Sequence, residues 1–543
     1  MRKYENNNFK LTFFTSCMAL LGIIGCASIQ QPSGGPKDTT PPKVVKETPK
    51  NFTLRFASDR IQIEFNEFVK LNNEFTEISI SPAIDKMPIF KARKNILDIN
   101  FDQVLEENTT YTINFGKAVV DVNESNVLKN YTYVFSTGDK IDSLSIGGNV
   151  KSSITKEPVR EGTVFILPVK QDSIFGIKRA NIFTSTDSAG NFALRNLRED
   201  SYLLYALKEE SPDRIYNNPN EEIGFLVDTI TLTENVSGLE LQVFKQEPAT
   251  FSVTDRKIES DGRILLSFNK AILNPSIQIL NPVNLNISKI VEITSGKDSA
   301  LIWLPEINFD SLTVSVQNNG KPVDTVQVSR NKRDTYNRAM GISDNLTAGK
   351  VKPGSDLILT LSSPIASFDL SKFELLQDSV AVKGLEVIKD TSTTRKYRLK
   401  YPWRADREYI LKLGEGAFTD NFSNKSKTFT RNFTLDNEEN YGSIALDFTV
   451  PDTTKNYLIQ WLSQEDKVLR TDIINRNIIL NYIRYPTSKY KVRVVYDENN
   501  NGVWDTGNAK QRRQPEQIWN YEKELTLRPN WDLEEKVVIP KSQ

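Results

Sequence analysis

Along most of the chain, apolar and polar residues alternate with a period of two, in short runs separated by Gly, Pro, Asn and Asp. Ile61-Gln62-Ile63-Glu64-Phe65 and Tyr111-Thr112-Ile113-Asn114-Phe115 are clear cases. Such alternation sends one set of side chains to a core and the other to solvent, as in a strand buried on one face. No helix-period stretch of useful length interrupts residues 45–138. About ninety residues of short strands predict an Ig-like sandwich there.

The pattern recurs. Asp261-Gly262-Arg263-Ile264-Leu265-Leu266-Ser267-Phe268-Asn269-Lys270 echoes Asp59-Arg60-Ile61-Gln62-Ile63-Glu64-Phe65-Asn66-Glu67. A third copy starts at Asp356-Leu357-Ile358-Leu359-Thr360-Leu361 and closes through Tyr409-Ile410-Leu411, Asp420, Asn424 and Thr430–Thr434. A spacing of about 95 residues fits tandem sandwiches, since solenoid repeats run about 20–50. Further Ig-like sandwiches are therefore expected at 248–338 and 341–438.

Residues 143–246 follow another order. Ser145–Val150 is followed by Val164-Phe165-Ile166-Leu167, an Asp187-Ser188-Ala189-Gly190-Asn191 turn, Leu194 and Leu197, and the strand YLLYAL at 202–207. Gly and Asn in that turn supply residues tolerant of positive φ. Residues 441–543 repeat the order. Leu194 and Leu197 match Leu480 and Ile483 in spacing, and YLLYAL matches YKVRVV at 490–495. Tyr202 to Tyr216 spans the same 14 positions as Tyr490 to Trp504.

Two stretches break the alternation. Residues 11–25 (LTFFTSCMALLGIIG) are apolar and uncharged, follow Arg2 and Lys3, and end at Gly25-Cys26. The run is short for a membrane span and has the layout of a secretory signal. Residues 27–44 are rich in Pro, Gly, Ser and Thr, which predicts an extended spacer.

Composition narrows the functions open to the chain. Of 543 residues, 69 are Lys or Arg and 69 are Asp or Glu, so no basic surplus exists to neutralise phosphates, and nucleic acid is not an expected partner. There is no histidine, and Cys17 and Cys26 are the two cysteines, with Cys17 inside the signal. Ser-His-Asp triads, Cys-His dyads and His-ligated zinc are thereby excluded, as is a disulfide within the mature chain. Carboxylate chemistry survives. Glycoside hydrolysis needs two facing carboxylates and no histidine, but with 69 acidic residues no single pair stands out.

The densest polar motif is Asp497-Glu498-Asn499-Asn500-Asn501-Gly502-Val503-Trp504-Asp505. Oxygen side chains at positions 1, 3, 5 and 9, with Gly at 6, follow the front half of a calcium loop. Asp497, Asn499, Asn501 and Asp505 are the candidate ligands, and calcium is the one candidate cofactor. Position 12 holds Asn508 where a bidentate Glu is expected. The matching positions in the earlier copy are Glu209, Ser211, Asp213 and Asn217, with Arg214 in place of the glycine, an oxygen set reduced by substitution. The alternative to a metal site is an Asn/Asp-Gly turn capping a hairpin. The tryptophans Trp303, Trp403, Trp461, Trp504, Trp519 and Trp531 are a candidate platform for sugar rings, against core packing as the alternative.

Several segments resemble known families. Gly25-Cys26 behind the apolar run resembles the lipobox of bacterial lipoproteins, which implies lipidation of Cys26 and a membrane held through that lipid. The succession TTPP, IQIEFNEFV, Ser81-Pro82, ENTTYTINF, Asp121/Asn126 and YVFSTG resembles the bacterial Ig-like domain Big_5, or SbsA-type, placed after the lipidated cysteine in Bacteroidetes lipoproteins. The motifs that carry this resemblance are structural. Residues 143–246 and 441–543 resemble the carboxypeptidase-regulatory, transthyretin-like sandwich, a non-catalytic module. Asp followed by Ser or Thr and an aliphatic or small residue resembles the O-glycosylation sequon of Bacteroidetes exported proteins, which nominates Thr39, Ser143, Ser173, Thr229, Ser311 and Thr325. The alternative is a turn Asp leading into a strand. Ala27–Gln31 lack the acidic run that marks surface export in some of these lipoproteins, so the face of the outer membrane stays open.

The expected architecture is thus all-β: signal peptide 1–25, spacer 26–44, an Ig-like domain at 45–138, a transthyretin-like domain at 143–246, Ig-like sandwiches at 248–338 and 341–438, and a transthyretin-like domain at 441–543. The expected role is a non-catalytic scaffold in the cell envelope, anchored to the outer membrane, with a protein or glycan partner. A glycan-binding accessory lipoprotein and a carboxylate-pair glycoside hydrolase are the alternatives.

Overall fold

A computed structural model describes residues 37–542 except 83, 85, 211, 212, 219 and 332. The signal, Cys26 and most of the spacer lie outside the described residues. The fold is nearly all-β, and among the described residues no helix is long and apolar enough to cross a membrane. The chain divides into two compact units, Met1–Ser143 and Leu144–Gln543.

In the first unit, Val44–Thr48, Arg60–Phe65, Ile96–Asn100 and Ile89–Arg93 form one sheet in that order. Ser79–Ser81, Thr110–Asn114 and Thr132–Ser136 form a second. The alternation in the sequence becomes the core: Ile61, Ile63, Phe65, Tyr111, Ile113 and Phe115 are all buried. Asn114 departs from the pattern, since it is buried too and accepts a hydrogen bond from the Gly116 amide at 2.9 Å.

Two further sandwiches in the second unit repeat this sheet order. In one, Val253–Ile258, Ile264–Phe268, Ser299–Trp303 and Ile290–Ile293 face Pro275–Asn281, Ser311–Asn318 and Lys321–Ser329. In the other, Ile342–Asp344, Leu357–Leu361, Lys396–Lys400 and Glu386–Lys389 face a sheet centred on Glu408–Leu413.

The remaining two sandwiches, at 144–246 and 441–543, share a different topology. In each, the first and last strands pair in parallel: Leu144–Ser152 with Val236–Lys245, and Tyr441–Thr449 with Asp532–Val538. In each, one long strand (Asp200–Lys208 or Lys489–Asp497) pairs with three neighbours. The register corrects one detail of the repeat. Ile146 pairs with Leu194 and Leu144 with Leu197, whereas Ile444 pairs with Tyr482 and Gly442 with Tyr485. The counterparts of Leu194 and Leu197 are therefore Tyr482 and Tyr485, and Ile483 is 61% exposed. Leu480 and Tyr482 share a face, so hydrophobic spacing does not detect the slip there, whereas Ile483 and Tyr485 fall on opposite faces across the irregularity at Arg484. The Asp187–Asn191 turn forms with Gly190 at φ +80°, while Asn191 already belongs to the next strand.

Within the second unit, a half-buried ion pair joins the sandwiches of 253–329 and 342–435. Arg395 Nη2 donates to Glu292 Oε1 at 2.6 Å and Arg395 Nε to Oε2 at 3.1 Å, with Thr393 Oγ1 on the same carboxylate. Burial alone would raise Glu292, but the hydrogen bonds and charge of Arg395 outweigh it and hold its pKa below the ordinary 4.5. A carboxylate lowered in the fold stabilises it above its unfolded pKa and loses that contribution as pH falls through the lowered value. Glu292→Ala leaves Arg395, whose side chain is 11% exposed, without its partner. The variant should be less stable than the parent by about 3 kcal/mol at neutral pH. In melting curves that gap should narrow below about pH 4; a gap independent of pH would refute the assignment.

Candidate functional site

The loop after the strand Lys489–Asp497 is organised by a fully buried carboxylate. Asp497 Oδ1 accepts from the Asn501 amide at 3.0 Å and Oδ2 from the Gly502 amide at 2.8 Å. Gly502 takes φ +80° and Asn500 φ +58°, so the glycine makes the turn the motif requires of it. Asn499 and Asn501 turn their Nδ2 groups onto Asp505 Oδ2 at 2.5 and 2.7 Å. Asn501 Oδ1 accepts from the Val503 amide at 2.9 Å. All four residues singled out from the sequence are thus gathered in one loop.

A fifth group joins them that the motif did not reveal. Glu516 Oε1 accepts from the Glu498 amide and Oε2 from the Asp505 amide, both at 3.0 Å. Its carboxyl is pushed up, first by burial and then by the charges of Asp505 and Asp497, against the pull of the two amides. This carboxylate lies outside the motif, two residues before the strand Ile518–Asn520. The available signal was an acid just upstream of the next strand.

The earlier copy keeps the same loop in altered chemistry. Arg214 stands where Gly502 stands and holds φ +61°, a conformation uncommon for a side chain of its size. Its amide donates to Glu209 Oε1 at 2.6 Å, as that of Gly502 does to Asp497. Asn217 Nδ2 donates to Asp213 Oδ2 at 2.9 Å, which reverses the Asn501–Asp505 pair. Glu221 Oε2 accepts from the Asn217 amide at 3.3 Å and so takes the place of Glu516. Glu209, Asp213 and Glu221 bring carboxylate oxygens within 4.8 Å of one another. Burial is the leading cause that raises both Glu209 and Glu221. The oxygen set is therefore rearranged around Glu221; Ser211 lies outside the described residues.

Other carboxylates noticed in the sequence hold loops together. Asp121 is 1% exposed and accepts from the amides of Glu124, Ser125 and Asn126. Asp420 accepts from the amides of Phe422 and Asn424, from Asn424 Nδ2 and from Ser363 Oγ.

The tryptophans divide unevenly. Trp303 and Trp461 are buried, and Trp403, Trp504 and Trp519 pack against core clusters. Trp531 is 52% exposed, with the Arg528 guanidinium 5.1 Å from its ring. Thr39, Ser143, Ser173, Thr229 and Thr325 are exposed, whereas Ser311 is half-buried and accepts from Gln327 Nε2. Ser143 and Thr229 sit directly before strands, and Ser311 opens one.

Comparison with curated proteins gives no match. Among solved structures, the major pilin subunit BcpA of Bacillus cereus aligns over 74% of this chain and 100% of its own at 10% identity, with a TM-score of 0.14. The S-layer protein rSbsC aligns over 86% and 67% at 12% identity and 0.15. An L,D-transpeptidase from Mycobacterium smegmatis aligns over 37% and 90% at 10% identity and 0.13. Likenesses at these scores carry no argument about activity. Residues 38–137 match the family of bacterial Ig-like domains, Big_5, and that segment is a bacterial Ig-like domain.

Proposed function

We propose that the chain is a lipid-anchored protein of the cell envelope, of the Bacteroidetes lipoprotein kind, and acts as a non-catalytic scaffold. Cys26 is the acylated residue, the spacer lifts the first Ig-like domain from the outer membrane, and the sandwiches behind it bind an envelope partner through loops and sheet edges. The carboxypeptidase-regulatory resemblance of 143–246 and 441–543 belongs to the same proposal. The observation that supports it is where the candidate chemical groups go. The gathered carboxylates accept hydrogen bonds from the backbone of their own loops, and five of the six tryptophans pack against cores. Crosslinking in the native envelope, followed by identification of the partner, tests it. One recurrent envelope protein supports the reading, and hydrolysis of a glycan by the purified chain overturns it. Retention on a glycan array that is lost in Trp531→Ala would move the reading to the glycan-binding alternative.

Calcium at the terminal loop is a second proposal, carried by Asn499 and Asn501, which close on the Asp505 carboxylate in a loop that Asp497 and Glu516 fasten through backbone amides. Hard-cation sites are built from carboxylate and amide oxygens of the kind this loop carries. Affinities of extracellular modules reach about 0.1 mM. At that affinity, about 10 mM calcium should stabilise the full chain by about 2.7 kcal/mol. Binding should weaken as pH falls, because the raised Glu516 then takes up a proton. Neither heat of binding nor a melting shift at millimolar calcium would end the idea.

A further inference from the structure

The two sandwiches that share a topology differ in the connection that closes this loop. In the earlier copy, residues 218–220 connect Asn217 to Glu221. In the terminal copy, residues 506–515 connect the corresponding Asp505 and Glu516. This longer segment folds into a small hairpin, in which the Asn508 amide donates to Arg513 O at 2.7 Å and the Arg513 amide returns to Asn508 O at 3.0 Å. Its base is closed by the Glu516 amide on Asp505 O and by the Glu516 carboxylate on the amides of Glu498 and Asp505.

The hairpin reaches the sandwich of 144–246. Arg512 Nη2 donates to Leu226 O at 2.6 Å and Nε to Val227 O at 3.0 Å, and Gln514 Nε2 donates to Phe225 O at 2.7 Å. Thr506 Oγ1 donates to Lys245 O and the Ala509 amide to Gln246 Oε1. Ala509 is 4% exposed and lies in one apolar cluster with Phe165, Phe225 and Phe244. Gly507 passes so close to Phe244 that a Cβ there would stand 2.3 Å from the ring. Beside the hairpin, Leu458, Val495 and Ile518 cover Ile154, whose carbonyl accepts from Asn520 Nδ2.

We infer that residues 506–515 are an intramolecular clasp that holds the last sandwich on the second one. The 144–246 sandwich thus carries a docking surface whose occupant is this chain's own terminal domain. The carbonyls of Phe225, Leu226 and Val227 recognise the Arg512 fork and the Gln514 amide, and the Phe244 ring accepts only a glycine at 507. Because the sandwiches of 253–329, 342–435 and 441–543 are also joined in succession, the clasp closes residues 144–543 on themselves. External partners of residues 144–543 are then left to their other surfaces.

Three variants of the full mature chain test this: Arg512→Ala, Gly507→Val, and replacement of 506–515 by Asn218-Pro219-Asn220, the residues between Asn217 and Glu221 in the earlier copy's sequence. Small-angle scattering should show an increased radius of gyration in all three. Hydrogen exchange at the Ala509 amide in Arg512→Ala should accelerate about ten-fold or more, since hydrogen bonds from a charged donor are lost. Exchange in the Lys489–Asp497 strand should stay slow, which separates opening from unfolding. An unchanged scattering profile in the loop replacement, with that strand still protected, would overturn the clasp. So would exchange at Ala509 in Arg512→Ala equal to the parent's.

Discussion

Trp461→Ala is expected to remove more stability from the terminal sandwich than any other single truncation in its core. The indole is fully buried between two tyrosines, with Tyr482 stacked at 4.7 Å and Tyr490 at 4.8 Å. Truncating such a ring costs about 3–5 kcal/mol, out of about 5–15 kcal/mol for a whole domain. The transition of this sandwich in calorimetry should fall by about 15 °C or more. Trp461→Phe provides the sharper half of the test. The indole N–H is buried without a hydrogen-bond partner, so phenylalanine removes an orphan donor while keeping a ring between the tyrosines. It should cost less than half of what alanine costs. Equal losses in the two variants would show that the stack, as described, does not hold this core.

Much of the fold was legible because a strand buried on one face writes its burial directly into the sequence. Ile61, Ile63 and Phe65 point inward, Gln62 and Glu64 stay partly in water, and the same alternation marks Leu357, Leu359 and Leu361. The clasp left a quieter trace. Residues 202–207 (YLLYAL) are buried on both faces of their sheet: Tyr202, Leu204 and Ala206 in one core, Leu203, Tyr205 and Leu207 in another. A continuous apolar run in a sheet means that both faces are covered, and part of the cover for the second face is Ala509, some three hundred positions away. Pattern reading identifies the need for a cover but not its source.

The candidate loop divides in the same way. Asp497, Asn499, Asn501 and Asp505 are close in sequence and visible as a motif. Glu516 belongs to the same loop only because the intervening hairpin folds outward and returns its carboxylate to the amides of Glu498 and Asp505. Glu221 escaped for a related reason: it meets Asn217 across a tight connection that carries no recognised spacing. Arg214 keeps the turn without the glycine: the chain accepts φ +61° there, with its amide fastened to Glu209.

The largest cellular effect should come from Cys26→Ala, which is expected to move the protein from the membrane pellet to the soluble fraction. One acyl chain gives only marginal binding, whereas two give a stable anchor, at about 0.8 kcal/mol for each buried methylene. Among the described residues no helix is long and apolar enough to cross a membrane, and the proposed lipid is the attachment this variant removes. A companion chain in which residues 1–26 are replaced by an ordinary cleavable secretory signal separates loss of lipid from failure to remove the leader. That chain should be exported, soluble, and unchanged in melting, because the residues that form the cores begin at Val44, well after the replaced segment. If it sediments with membranes after its leader has been removed, the lipid is not the anchor, and attachment must be sought on the sandwiches themselves.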